Sequence, residues 1–137
     1  MRKSIVASAV TGVVAVLAIV PAAVTAAAKK SHSVRVTASG GKVTNGGTAQ
    51  EDIKVAGKPF AGCTIDVSYA PPTVTQKWTC KGGTFQGRYA AKVDGDTITG
   101  TAKLSRGTGV YKGISGSLKV SGSLSTGVVK LTGHARY

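Results

Sequence analysis

The chain has 137 residues, of which 42% are apolar and 19 are glycine. Lysine and arginine outnumber aspartate and glutamate by 18 to 5, which gives a formal net charge of +13. A chain of this length supports one hydrophobic core, and its apolar content excludes a disordered polybasic tail. Its 2 cysteines and 2 histidines are too widely spaced for a Cys/His zinc ribbon, and 2 cysteines are too few for a multi-disulfide framework.

Residues 1–28 have the pattern of a secretory signal peptide. Two basic residues open the segment, an apolar stretch runs from Ile5 to Val20, and small residues follow. Cleavage is expected after Ala26 or Ala28. An uncleaved membrane anchor is the alternative, because the apolar stretch approaches spanning length. The prediction is therefore a secreted or extracellular domain of residues 29–137, at most loosely associated with the cell surface, in a compartment where disulfides persist.

From residue 29 onward, apolar and polar residues alternate with a period of two, and Gly, Pro or Asp-Gly turns interrupt the pattern at short intervals. This alternation is typical of antiparallel strands with one buried face. About eight such strands predict an all-β domain, a single small up-and-down β-barrel, because closure pairs every strand on both sides. A two-sheet β-sandwich would bury the same faces and is the alternative.

The clearest hairpin lies between Cys63 and Cys80, after a strand at 33–38 and a weaker one at 53–55. With the turn centred on two prolines, a four-residue loop from Ala70 to Thr73 is expected, since prolines cannot adopt the positive φ of a type I′ turn. The same register places Asp66 opposite Lys77 and predicts a cross-strand ion pair. The inward-facing pairs are Tyr69 with Val74, Val67 with Gln76, Ile65 with Trp78, and Cys63 with Cys80.

This register predicts a structural disulfide between Cys63 and Cys80. Closing the loop should contribute about 3 kcal/mol in the chain-entropy model. Two reactive thiols are the alternative interpretation, but neither a nearby base nor a Cys-x-x-Cys spacing accompanies them.

A second hairpin is predicted from strands at 84–93 and 96–104, joined by the turn residues Asp94-Gly95. Its register sets Tyr89 against Gly100, so that an aromatic ring covers a strand glycine. The last hairpin is predicted from strands at 114–124 and 128–137, with the turn within Ser125-Thr126-Gly127.

Between these hairpins lies Arg106-Gly-Thr-Gly-Val-Tyr-Lys-Gly-Ile-Ser-Gly-Ser117. It resembles the Gly-Thr-Gly-x-aromatic-x-Gly-x-x-Gly signature of allene oxide cyclase-like and dirigent-like proteins, which lies between late strands of an eight-stranded calycin-type barrel. The resemblance covers residues 101–134, and it departs from the families at Arg106 and at Ile114-Ser115, where a glycine and Ala-Arg are common. No catalytic residue of either family matches a position here, so the resemblance implies the fold alone.

The inward face of the predicted barrel combines aromatic side chains with one polar amide and many small residues. An eight-stranded barrel is wide enough to be filled by side chains or to hold one small ligand. We therefore predict a small apolar ligand in the interior, although the aromatic rings could instead fill it. The predicted ligand-binding residues are Tyr69, Gln76, Trp78, Phe85 and Tyr89.

The outward face of the last strands is basic and predicts a polyanion-binding surface, which we call the basic wall. Its residues are Arg88, Lys92, Lys103, Lys119, Lys130 and Arg136. The expected partners are an anionic cell-wall polymer or a lipid surface. Nucleic acid is not predicted, because exposed aromatic residues for base stacking do not accompany the lysines. A generic solubilising surface is the alternative.

The sequence predicts no catalytic residues, no metal site and no cofactor. Glu51 and Asp52 are adjacent, so on a strand they would point to opposite faces. His32 and His134 are expected as solvated surface residues. A non-catalytic binding protein is therefore the leading hypothesis. The alternatives are a cyclase or isomerase resembling the two families, and a structural or adhesive surface component.

Overall fold

The computed structural model describes residues 29–137, so the predicted signal peptide lies outside the described residues. Two short 3-10 turns occur at Asn45–Gly47 and Gly109–Tyr111, and no helix in this part of the chain is long and apolar enough to cross a membrane. Nine strands make up the rest of the fold: β1 (Ser31–Thr44), β2 (Ala49–Lys58), β3 (Thr64–Ala70), β4 (Thr73–Cys80), β5 (Gly83–Ala90), β6 (Lys92–Asp94), β7 (Thr97–Ser105), β8 (Ser115–Ser123) and β9 (Val129–Arg136).

The strands form a closed antiparallel barrel. Their order is β5-β4-β3-β2-β1-β9-β8-β7-β6, and β5 also pairs with β7. Because β5 and β6 both pair with β7 and are interrupted only at Ala91, they serve as one bent strand of an eight-stranded up-and-down barrel. The predicted barrel is confirmed over the sandwich, and this architecture is compatible with the calycin-type fold that the glycine-rich motif implies.

Alternation with a period of two places the residues on the inner and outer faces of the barrel as predicted. In β1, Val34, Val36 and Ala38 are buried while the residues between them are more exposed. In β8 and β9, the buried residues Leu118, Val120, Leu131 and Ala135 alternate with outward polar residues. The inward residues of all strands meet in one core along the barrel axis.

The hairpin between the cysteines has the predicted register, with Ile65 opposite Trp78 and a Cys63–Cys80 disulfide of 2.05 Å. Two details differ from the prediction. The β3–β4 loop is only Pro71-Pro72, because Ala70 and Thr73 still pair as strand residues. Asp66 lies opposite Lys77, but we find no ion pair between them.

The Asp66 carboxylate instead accepts a hydrogen bond of 3.0 Å from the backbone N–H of Asp52. The register of β2 against β3 shifts between Gln50 and Ile53, and Asp52 within this bulge has a positive φ of 58°. A bulge leaves a residue outside the regular ladder. The carboxylate therefore satisfies a backbone donor that the sheet does not pair.

The hairpin formed by β5, β6 and β7 differs from its predicted register by two residues. Gly87 pairs with Leu104, and Asp94 pairs with Thr97, so the turn consists of Gly95-Asp96. A shift of two residues preserves which face each side chain occupies. The predicted inward and outward sets therefore survive the change in register.

The first two strands are longer than predicted. The prediction missed their outer parts because the Gly, Thr, Ser and Lys residues there do not alternate with apolar residues. The β1–β2 ladder nevertheless continues to Thr44 and Ala49. Since loops alternate between the two ends, the barrel has two distinct ends. We call the end with the β1–β2, β3–β4, β6–β7 and β8–β9 loops the mouth. The base is the other end, formed by residues 29–30, 58–63, 80–83, 106–114 and 136–137.

Candidate ligand cavity

A cavity of about 380 Å³ occupies the mouth half of the barrel. Its volume lies within the range of small-molecule sites, which are typically concave and mainly apolar with a few polar groups. The lining combines inward residues of several strands with residues of the mouth loops. Its deeper apolar walls are formed by Ala38, Ile53, Ile65, Val74, Val129 and Leu131.

Gln76 is the one buried polar residue among those described, and it lines this cavity. The indole N–H of Trp78 donates a 3.2 Å hydrogen bond to the side-chain oxygen of Gln76. Because an indole nitrogen can only donate, the oxygen of the amide must face it. The amide NH2 group is therefore left to donate elsewhere.

The space for the Gln76 amide comes from the facing strand. Gly87 is its cross-strand neighbour on β5, and a Cβ atom there would lie 2.7 Å from the Gln76 Oε1. A larger residue at position 87 would displace the amide. The Gly87–Gln76 pairing thus explains a glycine in the middle of a buried strand.

Tyr89 also lines the cavity and is 8% exposed. Desolvation by burial raises the pKa of its phenol to about 12, so the hydroxyl is neutral at physiological pH. Its ring covers Gly100, where a Cβ would collide with it, as the sequence predicted despite the changed register. None of the described residues hydrogen-bonds the Tyr89 hydroxyl.

The mouth is surrounded by exposed apolar side chains. Five large hydrophobic residues are exposed in the described part of the chain, and four of them line the cavity at its rim. These rim residues are Val43, Tyr69, Val93 and Leu124. The fifth, Val110, lies at the base. Tyr69, expected in the interior, is therefore 36% exposed at the rim.

Asp96 ties two mouth loops together. Its carboxylate accepts hydrogen bonds from the Ser123 hydroxyl (2.6 Å), the Ser125 backbone N–H (2.7 Å) and the Ser125 hydroxyl (3.0 Å). These hydrogen bonds, led by that of Ser123, lower the pKa of Asp96. The sequence predicted only that residue 96 begins the strand after the Asp94-Gly95 turn. Its carboxylate also fixes the β8–β9 loop beside the cavity.

The base half of the barrel is filled by aromatic rings. Trp78 and Phe85 are stacked with their ring centroids 5.1 Å apart, and Phe60 lies 5.0 Å from Phe85. Tyr111 and Tyr137 extend the cluster. Trp78 and Phe85, both predicted ligand-binding residues, therefore lie below the cavity rather than in its lining.

Sequence reasoning missed Phe60 and Tyr111, since both lie outside the alternating strands. Phe60 follows Pro59 in the β2–β3 loop, and Tyr111 lies in the glycine-rich motif. His32, expected as a solvated residue, is half-buried and stacks on Tyr137 with centroids 4.1 Å apart. His134 is exposed, as expected.

The glycine-rich motif packs the β7–β8 loop against β5. The Thr108 hydroxyl accepts a 3.0 Å hydrogen bond from the Thr84 N–H, and the Val110 N–H donates to the Gly82 carbonyl at 3.0 Å. Gly109 has a φ of 61°, and a Cβ there would collide with the Gly82 carbonyl oxygen. The motif thus encodes a close backbone approach that positions Tyr111.

All six residues of the basic wall are exposed, but they are distributed along the length of the barrel. Lys92 and Lys130 lie towards the mouth, and Arg136 lies at the base. Arg88 and Lys103 are direct partners across the β5–β7 ladder. The registers also make Lys103 and Lys119, and Lys119 and Lys130, diagonal neighbours on adjacent strands, so the wall forms a band across the strands rather than a cluster at one end.

Comparisons with protein families, with curated proteins and with solved structures found no match for this chain. Among residues 29–137, no group of three or more His, Cys, Asp or Glu residues is placed to hold a metal ion.

Proposed function

We propose that this protein binds one small, mainly apolar molecule in the mouth half of its barrel. The observation that carries the proposal is the 380 Å³ cavity, whose apolar lining contains the inward amide of Gln76. A closed aromatic base and an open mouth give the cavity one route of access.

The lining also favours a class of guest. The Gln76 amide and the neutral Tyr89 hydroxyl are both hydrogen-bond donors, which suits a guest with a carbonyl, carboxylate or ether oxygen. The four exposed rim residues extend the apolar surface outward. A guest longer than the cavity, with its oxygen inside and an apolar tail at the rim, satisfies both features.

The compartment forms part of the same proposal. The Cys63–Cys80 disulfide is consistent with an oxidising environment, where such bonds persist. Together with the signal-peptide pattern of residues 1–28, it supports a secreted carrier or receptor for the guest. The barrel also supports a relationship to the allene oxide cyclase-like and dirigent-like families at the level of fold.

Trp78 provides a direct readout, because it is the single tryptophan and hydrogen-bonds the cavity residue Gln76. Titration with medium-chain fatty acids, alkyl ketones and matched alkanes should change its fluorescence saturably. The ketones should bind more tightly than the alkanes, and Gln76→Leu should reduce that preference, because only the Tyr89 hydroxyl would then remain as a donor. A panel that leaves the fluorescence of Trp78 unchanged, with no binding by calorimetry, would contradict the proposal.

The rim supplies a matched control. Val43 and Val110 are 63% and 62% exposed, but only Val43 lines the cavity. Val43→Asp should weaken binding of long-tailed guests several-fold, because it places a charge beside their apolar tail. Val110→Asp, at the base, should leave binding unchanged. Equal effects of the two substitutions would place the binding surface elsewhere.

Tyr89 favours a second candidate, a cyclase or isomerase acting on a bound guest. A neutral phenol in an apolar cavity can donate a hydrogen bond to an oxygen that gains negative charge during rearrangement. Tyr89→Phe should then abolish conversion while retaining guest binding. Incubation with unsaturated epoxides, followed by chromatographic analysis of products, tests this candidate. Unchanged conversion by the Phe variant would exclude Tyr89 from it.

A further inference from the structure

Charge is strongly segregated along the barrel axis. Residues 29–137 contain 16 basic and 5 acidic residues, since Arg2 and Lys3 precede them. Four of the acids, Glu51, Asp52, Asp94 and Asp96, lie towards the mouth, and Asp66 lies within β3. The base carries seven basic residues and no acidic one. These seven are Lys29, Lys30, Lys58, Lys81, Arg106, Lys112 and Arg136.

The basic residues of the base are fully available to a partner. All seven are exposed, although Lys29 also donates a hydrogen bond to the Gly113 carbonyl. No acidic side chain lies among them at this end. Clustered charge of one sign raises the local concentration of oppositely charged partners.

The segments that carry these charges are cross-linked. The backbones of Lys30 and Tyr137 exchange two hydrogen bonds, of 3.0 and 3.1 Å, and the disulfide ties residue 63 to residue 80. The glycine-rich motif fixes the β7–β8 loop against β5. A rigid scaffold lowers the entropy lost on binding, because only the side chains need to become ordered.

The chemistry of the base indicates the class of partner. Five of the seven residues are lysines, which bind phosphate groups as mobile point charges rather than through a fixed planar fork. Of the aromatic residues at the base, Phe60 and Tyr111 are buried, and the half-buried Tyr137 is already stacked on His32, so they offer little platform for stacked bases. Val110 is the single exposed large hydrophobic residue at this end among those described, which is little apolar surface to insert into a bilayer.

We propose that the base of the barrel binds a linear polymer of phosphate groups, such as a polyol phosphate chain. This surface is separate from the cavity and lies at the opposite end of the barrel. It also differs from the basic wall, of whose residues only Arg136 belongs to the base. The polymer would anchor the protein with its mouth directed away from the polyanion.

The test uses inorganic polyphosphate of defined length and the purified protein with its disulfide intact. The base variant is Lys58→Glu/Arg106→Glu/Lys112→Glu. Its matched controls carry the same change in net charge: Lys42→Glu/Lys92→Glu/Lys130→Glu towards the mouth, and Arg88→Glu/Lys103→Glu/Lys119→Glu on the wall. Fluorescence anisotropy gives the affinity of each protein over a range of salt concentrations.

We expect the base variant to bind the polymer at least about tenfold more weakly. The slope of log affinity against log salt concentration should be smaller by about three, one for each lost phosphate contact. The two controls should change affinity by less than about threefold. Equal losses of affinity in all three variants would show that binding depends only on net charge, and this would overturn the proposal. A larger loss in either control would also overturn it and favour the basic wall, to which Lys92 and Lys130 of the mouth control also belong.

Two further titrations test other classes of partner. Tighter binding to vesicles of anionic lipid, or to single-stranded DNA of equal charge, would overturn the choice of a phosphate polymer. Far-UV circular dichroism checks the fold of each variant, and the corresponding glutamine variants replace any that do not fold. Cavity probes should bind the base variant normally, so failure of this proposal is distinguishable from failure of the proposed ligand cavity.

Discussion

The two halves of the barrel interior have the same architecture but opposite packing. In the base half, Trp78, Phe85, Phe60 and Tyr111 fill the space between the strands. In the mouth half, the inward positions hold smaller residues such as Ala38 and leave a 380 Å³ cavity. The comparison shows that alternation decides which side chains face inward, whereas their volumes decide whether the interior is solid or hollow.

The largest expected effect is on the free energy of unfolding, and a matched pair of leucines compares the two halves. Leu118 and Leu131 are both fully buried, but only Leu131 lines the cavity. Leu118→Ala should lower the free energy of unfolding by about 4–5 kcal/mol, and Leu131→Ala by about 2–3 kcal/mol, because the second change enlarges an existing opening. Guanidinium denaturation followed by Trp78 fluorescence measures both. Equal losses would mean that the mouth half is as tightly packed as the base.

The second effect concerns the Cys63–Cys80 disulfide at the base. Replacing Cys63 and Cys80 by serine should lower the free energy of unfolding by about 3 kcal/mol, because the unfolded chain regains the freedom of the loop between them. Thermal unfolding of this variant should match that of the reduced wild-type protein. A loss below about 1 kcal/mol would show that the hairpin register alone holds this end.

Most of the β3–β4 hairpin could be predicted from the sequence, because apolar and polar residues alternate along both strands and two cysteines fix their register. The β5–β7 register was missed, since a shift of two residues leaves every side chain on its predicted face. A ligand-holding interior was predicted, but its restriction to the mouth half could not be, because Phe60 and Tyr111, which help to fill the base, come from segments without alternation.

The third effect adds volume instead of removing it. Ala38→Ile places a larger side chain beside the cavity, so it should weaken guest binding while changing stability by less than about 1 kcal/mol. Ala102→Ile is its control, because Ala102 is completely buried outside the cavity lining. Overpacking there should cost about 1–3 kcal/mol. Thermal unfolding and guest titration distinguish the two outcomes. A strongly destabilised Ala38 variant would contradict a hollow mouth half.

The fourth effect is a pH dependence of the mouth half. Because burial raises the pKa of Tyr89 from 10 to about 12, the folded state retains this proton more strongly than the unfolded state. The resulting stability is fully present below pH 10 and is lost as the pH rises towards 12. Phenolate absorbance in the wild type, compared with Tyr89→Phe, measures the titration. A Tyr89 that ionises near pH 10 would indicate a solvent-filled environment.

The smallest effect concerns the clamp between two mouth loops. The pKa of Asp96 is lowered, so its ionised form stabilises the folded loops above the ordinary aspartate value of 3.8. This contribution is lost as the pH falls through the lower folded pKa. Asp96→Asn should cause faster amide exchange at Ser125, with little change at the base. Unchanged exchange at Ser125 would mean that backbone pairing alone positions the loop.

The ladder between the bent strand formed by β5 and β6 and its neighbour β7 is interrupted between Arg88 and Lys92. Strands β5 and β7 share three residue pairs and β6 and β7 share three more, whereas β1 and β2 share nine. One of the β5–β7 pairs sets Arg88 directly opposite Lys103, and like charges in that position repel. Transient opening is therefore favoured at this interruption, and complete separation of the two strands would unroll the cylinder into an open sheet with two free borders. The integrity of the hollow interior thus depends in part on a ladder shorter than its two neighbours, since β4 and β5 share eight residue pairs and β7 and β8 share seven.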